Sequence, residues 1–367
     1  MMNNNIGLYL HIPFCLSKCP YCDFYSFRSD EKEKDEYISA LKKSIIDYAN
    51  KLNCKADTLY IGGGTPSVLR PKQIFELINT AKSSFSTDNA EITLECNPYG
   101  LSDDFFKAIN ECKVNRLSIG MQSANDNERK KLGRRASKSD IESVIYKARQ
   151  AKIENISLDI MLGIPDSTVE SLKTTLDFCI EMNVPHISCY ILKLEENTPF
   201  YKMQQRLNLP DDDLTADMYL FMCEYLESHG IMQYEISNFA KPGYESRHNL
   251  KYWHDEEYLG LGASAHSFLG GKRFYYPRDI ECFLSGKEPI FDCNGGDFAE
   301  LAMLALRLTE GLTEKRVQQR FGFSIPSEMR ERAEKFQKNG FLISDNDGIR
   351  LTKQGFLLSN TIISELI

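Results

Sequence analysis

Residues 6–22 read IGLYLHIPFCLSKCPYC, and the two halves of this stretch decide how the rest of the chain is read. Residues 6–12 form an apolar run of strand length, the pattern of a strand buried on both faces. The run leads straight into cysteines at 15, 19 and 22, a C-x3-C-x2-C loop. Three thiolates on one short loop converge naturally on a single metal centre. A structural zinc wants four closed ligands, so His11 or a distant group would have to complete it. A cubane iron–sulfur cluster is usually held by four cysteines, so three leave one iron open to another molecule. Spacing alone leaves both readings open, and His11 reads equally well as a packed strand histidine.

Moving outward, the same strand-like signal recurs at 57–61, 91–96, 116–121, 156–161 and 186–192. Between these runs lie amphipathic stretches at 36–52, 71–83, 102–112, 139–151 and 169–182, whose apolar residues recur at spacings of three and four. Six successive β–α units imply a parallel sheet covered by helices. Right-handed crossovers can curl such units into a partial barrel or wind them flat, and in either case the C-terminal strand ends form the working face. Residues 196–298 break the rhythm with an acidic helical stretch at 211–229 and a Gly- and aromatic-rich stretch at 234–276. Residues 299–367 change again: helical patterns at 299–308, 313–321 and 326–339 precede two short strands around Asn346-Asp347-Gly348, and a helix at 353–366 ends the chain. The order is that of a small winged-helix-like domain. The expected division is therefore 1–195, 196–298 and 299–367.

Composition narrows the function. Of 367 residues, 42% are apolar and 26% charged, ordinary values for a globular protein. A net charge of −8 leaves no cationic surplus for nucleic acid, and residues 297–367 carry ten Lys/Arg against ten Asp/Glu, which argues against a DNA-reading wing. No apolar run is long enough to span a membrane. Residues 1–5, MMNNN, lack the basic and apolar regions of a secretory signal, so a cytoplasmic location is expected. Eleven cysteines in such a chain are expected to be reduced, and the eight outside the loop read as small buried hydrophobes or free thiols.

A second motif, GGGTP at 62–66, follows the second strand. Glycine there lets bare backbone approach a ligand. The cysteine loop after a first strand, with this turn one β–α unit later, resembles the radical S-adenosylmethionine (SAM) superfamily. That resemblance implies a partial (β/α)6 barrel, a [4Fe–4S] cluster on Cys15, Cys19 and Cys22, and SAM on the open iron. The GGGTP form resembles the coproporphyrinogen III dehydrogenase-like branch, in which Gly63, Gly64 and Thr65 would meet the SAM amino group. By the same resemblance Tyr9, Glu95 in LECNP (94–98), Gln122 in SIGMQS (118–123), Arg134 in LGRR (132–135), Asp159 in LDIMLGIP (158–165) and Lys193 are SAM contacts. Each of these except Lys193 also has a plain alternative, a hydrogen bond within the barrel.

Residues 234–267 carry the resemblance further, through YEISNFA (234–240), HNLKYW (248–253) and LGLGASAHS (259–267). These look like the HemW-type heme chaperones. Physically, His248 can ligate heme iron with Tyr252 and Trp253 offering flat surface, or it can hydrogen-bond a loop while Trp253 packs as core. His266 is a further candidate beside the adenine or porphyrin edge. The dehydrogenases themselves carry another cysteine two residues after the third, where this chain has Phe24, and a longer segment before the first strand. The implied activity is therefore heme binding and delivery to membrane or respiratory acceptors, with a reductant such as flavodoxin or ferredoxin. Oxygen-independent coproporphyrinogen III dehydrogenation is the rival, and whether the chain is an enzyme is left open.

Overall fold

The computed structural model describes residues 5–367; residues 1–4, part of the stretch read for a leader, lie outside the described residues. Six parallel strands, β1 (Asn5–Ile12), β2 (Lys55–Gly63), β3 (Glu91–Cys96), β4 (Arg116–Gln122), β5 (Asn155–Leu162) and β6 (His186–Ile191), lie side by side in chain order. That order separates the two topologies left open by the sequence. When every crossover moves one strand in the same direction and is right-handed, all helices fall on one face. The other face is left bare and curls inward, giving the partial barrel.

The helices α1 (Glu31–Leu52), α2 (Pro71–Phe85), α3 (Asp103–Glu111), α4 (Asp126–Lys131), α5 (Lys138–Gln150) and α6 (Val169–Glu181) follow from local chemistry. The first begins five residues earlier than its apolar period suggests, because Asp30 accepts from the Glu33 amide while the Glu33 carboxylate accepts from Asp30 N–H. Its buried row of Tyr37, Ile38, Leu41 and Ile45 covers the strands, and each such side chain contributes about 1.5–3 kcal/mol. Beneath the helices lie the outward-facing Leu8, Leu10, Leu59, Ile61, Leu117, Ile119, Leu158 and Ile160, all essentially inaccessible.

The sheet continues past residue 195 at both edges. β7 (Met232–Glu235) and β8 (Asn238–Ala240) join beyond β6, whereas β9 (Tyr258–Leu261), β10 (His266–Leu269), β11 (Lys272–Tyr275) and β12 (Ile290–Asn294) extend it from β1, giving twelve strands. β9 is parallel to β1; the strands beyond it are antiparallel. The C-terminal unit is a three-stranded antiparallel sheet with helices Glu314–Phe321 and Ser327–Lys338, winged-helix-like in order. Its last helix, continuous in the sequence pattern, is two pieces, Lys353–Leu357 and Ser359–Leu366. No helix among the described residues is long and apolar enough to cross a membrane.

Candidate cofactor site

Because side chains alternate along a strand, the residues opposite the apolar row face the barrel interior. They are polar almost without exception: Tyr9 and His11, Thr58 and Tyr60, Thr93 and Glu95, Arg116 and Ser118, Ser157 and Asp159, His186 and Ser188. A cavity lined this way is built to hold polar ligands. Its C-terminal rim is the mouth and its N-terminal end the floor.

At the mouth, β1 runs into the cysteine loop, which is tied back by Cys15 N–H to the Phe27 carbonyl at 2.9 Å and Phe27 N–H to the Pro13 carbonyl at 2.9 Å. The turn after β2 docks beneath it through Gly64 N–H to Ile12 O and Thr65 N–H to Phe14 O, both 2.8 Å. A side chain at Gly64 would meet the Phe14 carbonyl at 2.7 Å. Gly63, at φ +110°, would drive a side chain into the His11 ring at 2.6 Å. These glycines therefore let the two loops interlock. Cys15 Sγ contacts Thr65 Oγ1 at 3.4 Å, and Arg134 Nη1 donates to Cys19 Sγ at 3.6 Å. Arg134 also donates to the Gly120 carbonyl. Burial is the main cause pushing the Cys22 thiol up, with Cys19 and Cys15 adding to it, so the three sulfurs share one electrostatic environment.

Glu95 sits at the end of β3, accepting from Tyr60 Oη at 2.8 Å and from Gly63 N–H at 3.1 Å. Burial raises its carboxyl to about 7, outweighing those two hydrogen bonds. Asp159 accepts from Ser118 Oγ at 2.9 Å and is likewise raised by burial. Gln122 ends β4 at φ +71°, beside a register shift between Gly120 and Gln122; a non-glycine residue in that region is a strained position of the kind found at ligand sites.

At the floor, the helix Arg247–Trp253, which carries HNLKYW, plugs the barrel. Glu91 accepts from the backbone N–H groups of Arg247 and His248, each at 3.1 Å. His248 lies inside, stacked on Tyr60 at 5.2 Å, with Nδ1 2.7 Å from Thr58 Oγ1 and Nε2 2.8 Å from Tyr252 Oη. Lys251 pairs with Asp57 and Glu256 at 3.0 Å each. Next to this plug His186 bridges Ser157 at 2.8 Å and Tyr234 at 2.9 Å.

The fold thus gathers Tyr9, Gly63, Gly64, Thr65, Glu95, Gln122, Arg134 and Asp159 around the mouth and lumen beside Cys15, Cys19 and Cys22. Lys193 is elsewhere: its side chain is 81% exposed and pairs with Glu195 at 3.0 Å. His266 begins β10, outside the parallel strands, stacked on Tyr275 at 5.2 Å. His248 reaches the barrel, but both nitrogens are engaged and burial depresses its imidazole to about 3. As it stands it offers no lone pair to an iron, which is the hydrogen-bonded alternative. His11 is likewise occupied, by Tyr9 Oη at 3.0 Å and the Tyr25 carbonyl at 3.2 Å, so it is not a fourth ligand to a zinc. Among the described residues no trio of Cys, His, Asp or Glu converges on one point as a mononuclear metal requires. A cubane takes each thiolate on a different iron, and three thiols on one loop with no fourth donor beside them fit that group. Sequence reading missed Tyr60, Glu91 and Arg116; the alternation of polar with apolar positions on β2 to β4 was the available signal. A surface recess of about 310 Å³ lined by Lys82, Asn89, Lys113 and Asn115 includes none of the cysteines or candidate SAM contacts.

The chain matches the radical SAM superfamily over residues 9–179 and the HemN C-terminal domain over residues 298–358. A solved structure of coproporphyrinogen III oxidase (HemN) from Escherichia coli superposes with a TM-score of 0.85 at 22% identity, covering 98% of this chain and 89% of that one, which shows the shared fold. Curled sheet, cysteine loop and superfamily match together define a radical SAM protein, a class that uses a [4Fe–4S] cluster and SAM. The heme chaperone HemW of Bacillus subtilis is 36% identical over 98% of each chain, and that of Lactococcus lactis is 32% identical over 100% of this chain and 98% of its own. This chain belongs to the HemW family. The Escherichia coli heme chaperone HemW is 38% identical over 71% of this chain and 69% of its own.

Proposed function

We propose that the chain takes up heme and hands it to heme-requiring proteins, membrane or respiratory ones among them. The observation that carries this reading is the end-to-end similarity to proteins named heme chaperone HemW, at 36% identity with 98% of both chains aligned. Phe24, 69% exposed beside the cysteine loop, agrees with it, because the dehydrogenase-like enzymes carry a thiol there.

In this reading Cys15, Cys19 and Cys22 would hold the cluster, and three thiolates for four irons would leave a place for SAM. When bound, that pair supplies one-electron chemistry drawn from a protein reductant such as flavodoxin or ferredoxin. The chain's own residues do the positioning. The backbone of Gly63 and Gly64 and the carboxylate of Glu95 would receive the SAM ammonium, with Thr65 beside it and Arg134 steadying the Cys19 thiolate. Tyr9, Gln122 and Asp159 would line the nucleoside. Lys193 would join them only if the segment after β6 folded over the mouth. For heme iron, His266 is the histidine whose ring carries no hydrogen bond among the described residues, whereas ligation by His248 would require the plug helix to leave Thr58. The experiment is a paired assay on one anaerobically reconstituted, SAM-loaded sample. Saturable heme uptake with no turnover of coproporphyrinogen III supports the chaperone; turnover without stable heme uptake establishes the dehydrogenase instead.

A further inference from the structure

Below the mouth, the inward row of β3, β4 and β5 carries three buried polar atoms without partners. Thr93 is paired in register with Arg116, and Arg116 with Asn155. Thr93 is 0% and Arg116 1% exposed, yet Thr93 Oγ1, Arg116 Nε and Asn155 Oδ1 have no hydrogen bond. None of the ion pairs among the described residues includes Arg116. Its charge is nonetheless felt at Tyr60, Glu95, Asp159, His186, Tyr234 and His248, groups on strands all around the barrel and on the plug helix.

Glu95 and Asp159 feel this charge, but neither makes an ion pair with it, and a buried cation without a direct hydrogen-bonded partner is unfavourable. The neighbouring groups show that this is not how the fold treats its other buried charges. Lys251 has Asp57 and Glu256, and the buried Asp255 has Arg273 and Arg320. Arg116 alone among these has no ion pair, and the hydroxyl of Thr93, paired in register with it, is also without a partner. Arg116 opens β4 six positions before Gln122, about 20 Å of strand from the rim, and its register partner Thr93 lies two residues before Glu95, so the pair sits directly beneath the lower of the groups offered to SAM.

We infer that the lower lumen is a carboxylate-binding subsite, in which Arg116 takes a ligand carboxylate through its planar fork and the Thr93 hydroxyl donates a second hydrogen bond. A carboxylate suits the site better than a phosphate. One guanidinium and one hydroxyl match a planar, singly charged anion, whereas a doubly charged group would face Glu95 and Asp159 across the lumen. The carboxylate is either free or borne by a larger ligand, and heme itself bears two.

The test uses the reconstituted, SAM-loaded full chain. Carboxyl-13C propionate is titrated and followed by its NMR shift and line width, and heme is titrated in parallel with heme dimethyl ester, whose carboxylates are blocked. Saturable propionate binding that weakens at least tenfold in Arg116→Gln and about threefold in Thr93→Val establishes a site for a free small carboxylate. A preference for heme over its ester that Arg116→Gln abolishes assigns the carboxylate to heme. Thr93→Val keeps the side-chain shape, so it stands in if Arg116→Gln does not fold. Absence of both effects in folded variants, or a crystal structure with only ordered water on Arg116, overturns the inference. Propionate binding with no heme uptake would sink the heme reading and leave this one intact.

Discussion

At the floor of the barrel, Thr58, Tyr252 and Glu91 satisfy His248 and the first turn of its helix with hydrogen bonds of 2.7–3.1 Å. At the mouth, the cysteine sulfurs make long contacts, among them Cys15 to Thr65 at 3.4 Å and Cys19 to Arg134 at 3.6 Å. The two ends share six strands but differ in what their polar groups are for. Groups that complete one another within the chain hold the fold closed. Groups left half-satisfied on a scaffold held from behind are free to accept something from outside.

The largest effect expected at the mouth is from Cys19→Ser. Two thiolates do not hold a cubane, so iron after anaerobic reconstitution should fall from about four per chain to near zero, with loss of the broad brown absorption. Retention of a normal cluster spectrum would break the assignment of the mouth.

At the floor, His248→Ala should cost stability first. It empties a packed site and leaves the Thr58 and Tyr252 hydroxyls without partners, about 3 kcal/mol together, read as a lower denaturant midpoint at unchanged slope. If heme affinity instead collapses in a variant that melts normally, while His266→Ala binds heme as before, the floor opens during heme uptake and the comparison must be redrawn.

The two ends should also respond to pH with opposite sign. The Glu95 carboxyl is raised from 4.5 to about 7, so the folded state holds a proton that the unfolded chain has lost. That contribution is present below pH 4.5 and disappears as pH rises through about 7. His248 is depressed from 6.5 to about 3, so the unfolded chain holds the extra proton and stability is lost as pH falls from 6.5 toward 3. Without SAM, Glu95→Gln should flatten the loss between pH 4.5 and 7, leaving the share from Glu235, which is also raised to about 7 by burial. In calorimetric titration it should weaken SAM about tenfold at pH 8, where the ionised carboxylate would otherwise face the ammonium. An unchanged affinity would move Glu95 to a purely structural role.

The smallest effect belongs to Lys193→Ala. An exposed ion pair contributes at most about 0.5 kcal/mol, and SAM affinity should stay within twofold. A tenfold loss would show that the segment after β6 closes over the mouth.

The mouth was legible before any coordinates because its parts are contiguous: C-x3-C-x2-C and GGGTP are each one short loop, and backbone geometry ties neighbours in sequence to neighbours in space. Glu95, Gln122 and Asp159 were legible through the family resemblance, each being a polar residue in an otherwise apolar run. The floor, made of Thr58, Glu91, His186 and His248, and the unpaired Arg116 above it meet only after the barrel closes. A motif search sees HNLKYW and not the Thr58 hydroxyl 190 residues away that occupies its histidine. Likewise, strands of four residues such as β9 and β10 are too short to show a period, and only pairing with β1 makes them strands.

The sequence by itself determined the β–α rhythm, the three-thiol loop and the family, because these depend on spacing along the chain. Tertiary structure decided that the sheet curls, that its edges run on to twelve strands, that His248 seals the floor and that Arg116 stands unpaired inside. Those outcomes depend on which residues a one-directional series of crossovers turns inward together, and no local window of sequence contains that information.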